Sequence, residues 1–394
     1  MWLTEADAQA LLLLNQMRKG FCERRAEGVK LAQYCGVVRL PTCVLEVLPK
    51  VGVSDARLPG EVDSSRGALL AMLHGARRVT IKKVGTVQQQ SVQAPLLDIF
   101  IEAFLLCALE QARRGLLSRY MVHAEDLPVI KGRFHAQGHA RRNASRPHLL
   151  HCEYDEFTVD NVYNRSIRAA LVACFGWIRT TATQRLWYEA HARYGNVSAV
   201  KMSAEDVARL PRDRTTRRYT DVLTWCEWLL GTVSPAMAKG ITEAPGLLFD
   251  MNKLFEAHAA RLEEVRAGPN RIVNVQGPPL HLASHGKHKI FLLKPDITIW
   301  RTDLDGNASS IDRVVDAKWK RINPRASDLG VDEGDIYQLL AYALRYDCKT
   351  VELVYPMPRG AESYRSQMTF NISLAGQYAN DSIAISVKFI SLWE

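Results

Sequence analysis

Between Leu96 and Tyr120 the apolar residues Leu96, Ile99, Phe100, Ala103, Phe104, Cys107 and Leu117 recur at helical spacing. They would share one side of a helix, so this stretch predicts a long helix with a buried stripe. Val162 to Ala173 and Tyr219 to Leu230 predict further helices. Leu247 to Val265 predicts an amphipathic helix with Leu248, Met251, Phe255, Leu262 and Val265 along one side and Glu256 at the margin. Gly334 to Tyr346 predicts another, on which Gln338 and Tyr342 are four apart and share a face. Shorter β-prone runs appear at Val37–Leu40, Val44–Leu48 and Ile297–Trp300, around Ile311, Val314, Val315 and Trp319, and at Gln367–Leu374 and Ile383–Leu392.

In order, these elements suggest three regions of an α+β protein. Residues 1–95 mix a first helix with short strands, and Gly85–Gln90 reads as a polar loop or exposed projection. Residues 96–244 are mainly helical. Residues 245–394 run as a helix, three strands, a helix and a strand, then two more β-prone runs, an α/β order around a mixed sheet. No internal repeat and no low-complexity segment interrupts them.

Composition narrows the class. The 394 residues suffice for two or three domains with full cores, and a hydrophobic fraction of 47% is that of a soluble globular protein. The Leu11–Leu14 run is far too short to span a bilayer, and no basic segment precedes it as in a secretory signal. The 8 cysteines form no CxxC pair and read as reduced structural thiols of a cytoplasmic protein. His281, His285 and His288 sit among Gly and Pro and read as a polar loop in preference to a metal site.

A net charge of +9 suits a polyanionic partner. Arg212, Arg214, Arg217 and Arg218 cluster in one run, where they either track a DNA phosphate backbone or line a solvated loop. Lys131, Arg133, Arg141, Arg142 and Arg146 form a second, acid-free run that suits DNA or a protein partner.

The richest chemistry lies between Lys294 and Lys320. Asp296 opens the Ile297–Trp300 run, and Asp316 and Lys318 close the run after it, with a turn-like Asp303–Asn307 between them. Two antiparallel strands would bring the acids together, and strand alternation puts Asp316 and Lys318 on the same side. Paired carboxylates can share a divalent metal that activates water, and the lysine can orient that water or offset charge on a phosphate. A hairpin with an ordinary surface Asp/Lys pair is the plain alternative.

The order of helix Glu256, Pro295-Asp296, Asp316-x-Lys318 and Gln338-x-x-x-Tyr342 resembles the PD-(D/E)XK nuclease superfamily. Leu247–Glu256 (LLFDMNKLFE) looks like a signature of McrC, the nuclease subunit of McrBC modification-dependent restriction systems. Val44–Lys50, Arg114–Tyr120, Lys131–Phe134 and Asp155–Arg165 look like further segments of that family. The resemblance runs from about residue 30 to about residue 355. It implies a C-terminal restriction-endonuclease-like domain, with metal ligation by Asp296 and Asp316, Glu256 as an additional acid, Lys318 as the catalytic lysine, and Gln338 and Tyr342 in support. It also implies Mg²⁺, with Mn²⁺ as a substitute, double-stranded DNA as substrate, and a separate McrB-like AAA+ GTPase ring docked by the N-terminal region. No GKS or GKT phosphate loop occurs, in keeping with nucleotide hydrolysis by the partner. A non-cutting activator of the ring and a stand-alone nuclease are the other functional classes in play.

Overall fold

The computed structural model describes residues 3–17, 19–26, 28–52, 60–76, 94–233, 246–303, 305–323, 326, 328–359, 367–373 and 382–392. The Gly85–Gln90 stretch lies outside them. The fold is α+β, and the chain divides into two compact units. One joins residues 1–96 to 248–394, and the other is the intervening 97–247. The first and third regions expected from the sequence therefore fall in one unit.

The first unit opens with the Glu5–Met17 helix and a small hairpin of β1 (Cys22–Arg25) and β2 (Gly28–Leu31). The antiparallel pair β3 (Tyr34–Arg39) and β4 (Val44–Val47) follows, then the Glu61–Gly75 helix, which the hydrophobic pattern did not single out.

The second unit starts on the Leu96–Arg113 helix. The expected helix to Tyr120 is cut short, because Gly115 adopts φ +86 and the chain turns into a strand. Three strands, β5 (Arg119–Leu127), β6 (Arg133–Phe134) and β7 (Leu150–Thr158), form a sheet ordered β5-β7-β6. The helices Val162–Cys174, Thr181–Arg193 and Thr220–Val233 make up much of the rest. Asn161 caps the first of these by accepting from the Tyr163 and Asn164 backbone N–H groups.

The chain returns to the first unit through β8 (Gly246–Asp250), which sits beside β3 in the order β4-β3-β8. The expected Leu247–Val265 helix instead begins at Met251 and ends at Arg266, since Asp250 accepts from the Asn252 and Lys253 N–H groups and caps it. Met251, Leu254, Phe255, Ala259 and Ala260 form its buried stripe, whereas Val265 faces solvent.

Five strands then precede the next helix where three were expected: β9 (Arg271–Val275), β10 (Leu280–His285), β11 (His288–Leu293), β12 (Ile297–Thr302) and β13 (Ala308–Ala317). The extra pair is the β10–β11 hairpin. It turns at Gly286 with His285 opposite His288, so the histidine stretch is a hairpin and not a loop. The Glu333–Arg345 helix, β14 (Thr350–Pro356), β15 (Gln367–Ser373) and β16 (Ser382–Ile390) complete the unit.

The main sheet runs β15-β16-β14-β13-β12-β9. Its central strands β13, β14 and β16 are parallel, and the flanking pairs are antiparallel. Val314, Val351, Leu353, Tyr355, Ile385 and Val387 pack with Leu339 and Tyr342 of the Glu333–Arg345 helix into one core. The Met251–Arg266 helix packs on β9 and β13 and against Glu61–Gly75. All eight cysteines are free, and all but Cys43 are buried. No helix among the described residues is long and apolar enough to cross a membrane.

Candidate active site

Strand pairing explains how two acids twenty residues apart meet. Ile297 of β12 lies opposite Val315 of β13, so Asp296 reaches the neighbourhood of Asp316. Asp296 Oδ2 accepts a 2.8 Å hydrogen bond from the Ala317 N–H, which ties the two chain segments together. Along β13, alternation sends Arg313 to Glu263 of the Met251–Arg266 helix, while Val314 joins the core under the Glu333–Arg345 helix. Lys318, even-numbered like Val314 and Asp316, reaches Gln338 of that same helix. The Lys318 N–H donates to Val354 O at 2.9 Å, extending the ladder with β14 to the lysine itself.

The lysine is held from two directions. Its Nζ lies 2.7 Å from Asp316 Oδ2 and donates to Gln338 Oε1 at 3.2 Å. Gln338 Nε2 donates to the Tyr342 hydroxyl at 2.7 Å, and that hydroxyl donates to Lys294 O at 3.2 Å. The Gln-x-x-x-Tyr pair thus links the lysine to the segment that carries Asp296. Burial opposes the charge on Lys318, but Asp316 and then Asp296 outweigh it and hold the ammonium above its ordinary range.

The acids are under the opposite pressure. Burial first, then the charges of Asp316 and Glu256, push the Asp296 carboxyl up to about 7 against the Ala317 N–H and Lys318. Asp316 is almost fully buried and is also raised, chiefly by burial, with Lys318 opposing. Despite its ion-pair distance to Lys318, Asp316 Oδ2 has no aligned hydrogen-bond partner. Two neighbouring raised carboxyls, one of them already drawing in the Lys318 ammonium, are suited to a divalent cation. The donors are all hard oxygens. Mg²⁺ keeps several waters and is commonly bound through one or two carboxylates, so the pair fits it.

Glu256 is half-buried and lies near enough for its charge to act on Asp296. Its Oε1 accepts from Gln276 Nε2 at 2.9 Å, and Gln276 Oε1 accepts from Lys294 Nζ. Among the described residues no group of three or more His, Cys, Asp or Glu side chains is assembled as a metal site.

Gln276 was not evident from the sequence. It bridges Glu256 and Lys294 from a loop, with φ +56, and its N–H donates to Asp296 O at 2.6 Å. Asp335 and Lys320 were also missed. They pair at 2.8 Å, and the charges of both act on Asp316.

The four arginines of the basic run lie in the second unit. Arg212 reaches Thr224 and Glu227, and Arg218 donates to Gly115 O at 2.7 Å. Arg214 and Arg217 are exposed. Lys131, in the other basic run, lies over the Tyr154 ring at 3.7 Å.

The fold and site define a class: an α+β protein with a buried and a half-buried carboxyl and a lysine gathered at the carboxyl end of a central strand. The chain belongs to the McrBC 5-methylcytosine restriction system component family, whose model matches residues 29–356. It is similar in fold to a chain of the refined half-complex from a tetradecameric assembly of Thermococcus gammatolerans McrB AAA+ hexamers with bound McrC. That match has a TM-score of 0.69 and 18% identity, over 99% of this chain and 85% of that one. A chain of the Thermococcus gammatolerans McrBC complex aligns with a TM-score of 0.47 and 19% identity, over 66% of this chain and 81% of that one. No curated protein sequence matches.

Proposed function

We propose that this chain is the Mg²⁺-dependent DNA endonuclease subunit of an McrBC-type restriction system. Its partner is a separate McrB-like AAA+ GTPase ring that recognises modified DNA and whose hydrolysis this chain stimulates. The observation that carries the reading is the convergence of Asp296, Asp316 and Lys318, with both carboxyls raised and Lys318 Nζ 2.7 Å from Asp316 Oδ2.

Asp296 and Asp316 would hold the metal, with Glu256 adding negative charge beside them. A bound divalent cation supplies polarisation of the phosphate and a water acidic enough to attack it. Water would attack phosphorus and give up a proton to solvent, while the bond to the leaving sugar oxygen breaks and that oxygen takes a proton from solvent. Lys318, kept charged by its two acids, offsets the charge that develops on the phosphate oxygens. Gln338 and Tyr342 hold the ammonium in place, so that little reorientation remains at the moment of reaction.

Support for the ring partner comes from family membership and from the solved assembly, in which McrC is bound to McrB AAA+ hexamers. No GKS or GKT loop occurs in this chain, in keeping with nucleotide hydrolysis by the partner.

Plasmid cleavage by wild type and Lys318→Ala, each with and without an McrB-like AAA+ protein and GTP, tests the reading. Loss of the lysine is expected to slow cutting by roughly 100-fold or more while ring binding persists. Undiminished cutting by Lys318→Ala would remove the lysine from the mechanism. Robust cutting by this chain alone identifies a stand-alone nuclease. Stimulated GTP hydrolysis without any cutting identifies an activator.

A further inference from the structure

A cavity of about 360 Å³ opens in the first unit beside Trp319 and Lys320. Just past the end of β13, Trp319 meets Phe255, with ring centroids 5.5 Å apart. Met251, one helical turn before Phe255, lines the cavity, as do Tyr34 and Lys50 of the N-terminal segment and Pro356 at the end of β14. The cavity therefore lies beyond the carboxyl ends of two adjacent parallel strands, the usual place for a ligand in an open α/β sheet.

Its chemistry is that of a nucleotide site. Most of the wall is apolar, two lining residues are the aromatics Tyr34 and Trp319, three are basic, and none is acidic. Aromatic walls accept the faces of bases, and basic rims accept phosphates. Lys320 pairs with Asp335 yet remains 49% exposed.

We propose that this cavity is a subsite for a single nucleotide of the DNA strand that the chain cuts. The base lies against Trp319 and Tyr34, and the phosphate faces Lys320 and Lys50. The assignment rests on the nuclease reading above and extends it.

Ala32 lines the cavity and is exposed, so Ala32→Trp fills the space without removing a buried contact. The test measures binding of a fluorescent single-stranded oligodeoxynucleotide to the full chain by anisotropy, with Ca²⁺ in place of Mg²⁺. A second set of oligonucleotides carries one abasic residue moved stepwise along the strand. Wild type is expected to lose roughly tenfold in affinity when one particular position is abasic. Ala32→Trp is expected to bind about tenfold more weakly and to show no such position, with an unchanged melting temperature. Trp319→Leu should reproduce the loss.

Equal binding and an equal abasic penalty in wild type and Ala32→Trp overturn the subsite, as does a wild type that fails to bind. Unchanged oligonucleotide binding with loss of association to the AAA+ protein makes the cavity a protein-docking site and also overturns it. If wild type does not cut DNA but its base-dependent binding is lost in Ala32→Trp, the nuclease reading fails, and the cavity binds a nucleotide of a strand that the chain holds without cutting.

Discussion

Burial, and after it repulsion from Asp316, raises the Asp296 carboxyl and gives the metal-free chain a distinctive pH response. Asp296 titrates at about 7 in the fold against 3.8 ordinarily. Between these values the unfolded chain has lost a proton that the folded chain keeps, so folded stability falls as pH rises through the window. Thermal unfolding in EDTA should therefore show a lower midpoint at pH 8 than at pH 5. Asp296→Asn should remove most of that difference and stabilise the metal-free chain at pH 8 by roughly 1–3 kcal/mol. A pH-independent midpoint, or an Asn variant less stable than wild type at pH 8, would contradict the raised carboxyl. Gln276 belongs to the same scale. Gln276→Ala releases Glu256 and Lys294 together and should weaken Mg²⁺ activation of cleavage by roughly tenfold without changing the fold. An unchanged Mg²⁺ dependence would make the bridge irrelevant to the site. The convergence of Asp296, Asp316, Lys318, Gln338 and Tyr342 was legible because each lies on, or directly beside, a strand or helix that the sequence marks. Gln276 was not, since its partners are 20 and 18 residues away and its backbone is left-handed.

At the scale of elements, the turn before β12 sets where Asp296 lies. The Gly277 N–H donates to Pro295 O at 2.9 Å, and a Cβ at Gly277 would come within 2.6 Å of Thr298 Cγ2 and 3.0 Å of Pro295 Cγ. Thr298 is fully buried and β-branched, so it cannot swing aside. Gly277→Ala should destabilise the chain by about 1–3 kcal/mol, measured by urea unfolding, and should slow cleavage beyond what lost stability explains. Wild-type stability in that variant would mean that the turn relaxes freely. Hydrophobic spacing found the helix that carries Glu256 but began it four residues early, because Leu247 to Asp250 continues the apolar pattern while belonging to a strand. The pairing of β8 with β3 draws that segment out of the helix, and its partner lies about 210 residues earlier in the chain. The β10–β11 hairpin escaped for another reason. Its residues are mostly solvent-exposed, so no alternation of apolar and polar positions marks it.

At the scale of the whole molecule, the chain leaves the first unit after residue 96 and returns to it at Leu248. Composition and periodicity gave no sign that the N-terminal strands and the C-terminal sheet share one unit, because such contacts depend on pairing between distant segments. Charge was legible only as a total. Of the four arginines expected at DNA, Arg212 and Arg218 have local partners, whereas Arg214 and Arg217 are exposed. If the exposed pair meets phosphates, Arg214→Ala and Arg217→Ala should each lower the slope of log affinity against log salt by about one. Slopes equal to wild type would place DNA elsewhere on the molecule. The central claim is metal-dependent cutting through the paired aspartates. Its most direct test is the Mg²⁺ dependence of plasmid cleavage by wild type and Asp316→Asn, each with the AAA+ partner and GTP. Wild type should cut with a saturable Mg²⁺ requirement and stop in EDTA, and Asp316→Asn should lose cutting at every Mg²⁺ concentration while still stimulating GTP hydrolysis. Cleavage that survives in EDTA, or in Asp316→Asn at the wild-type rate, would contradict the account.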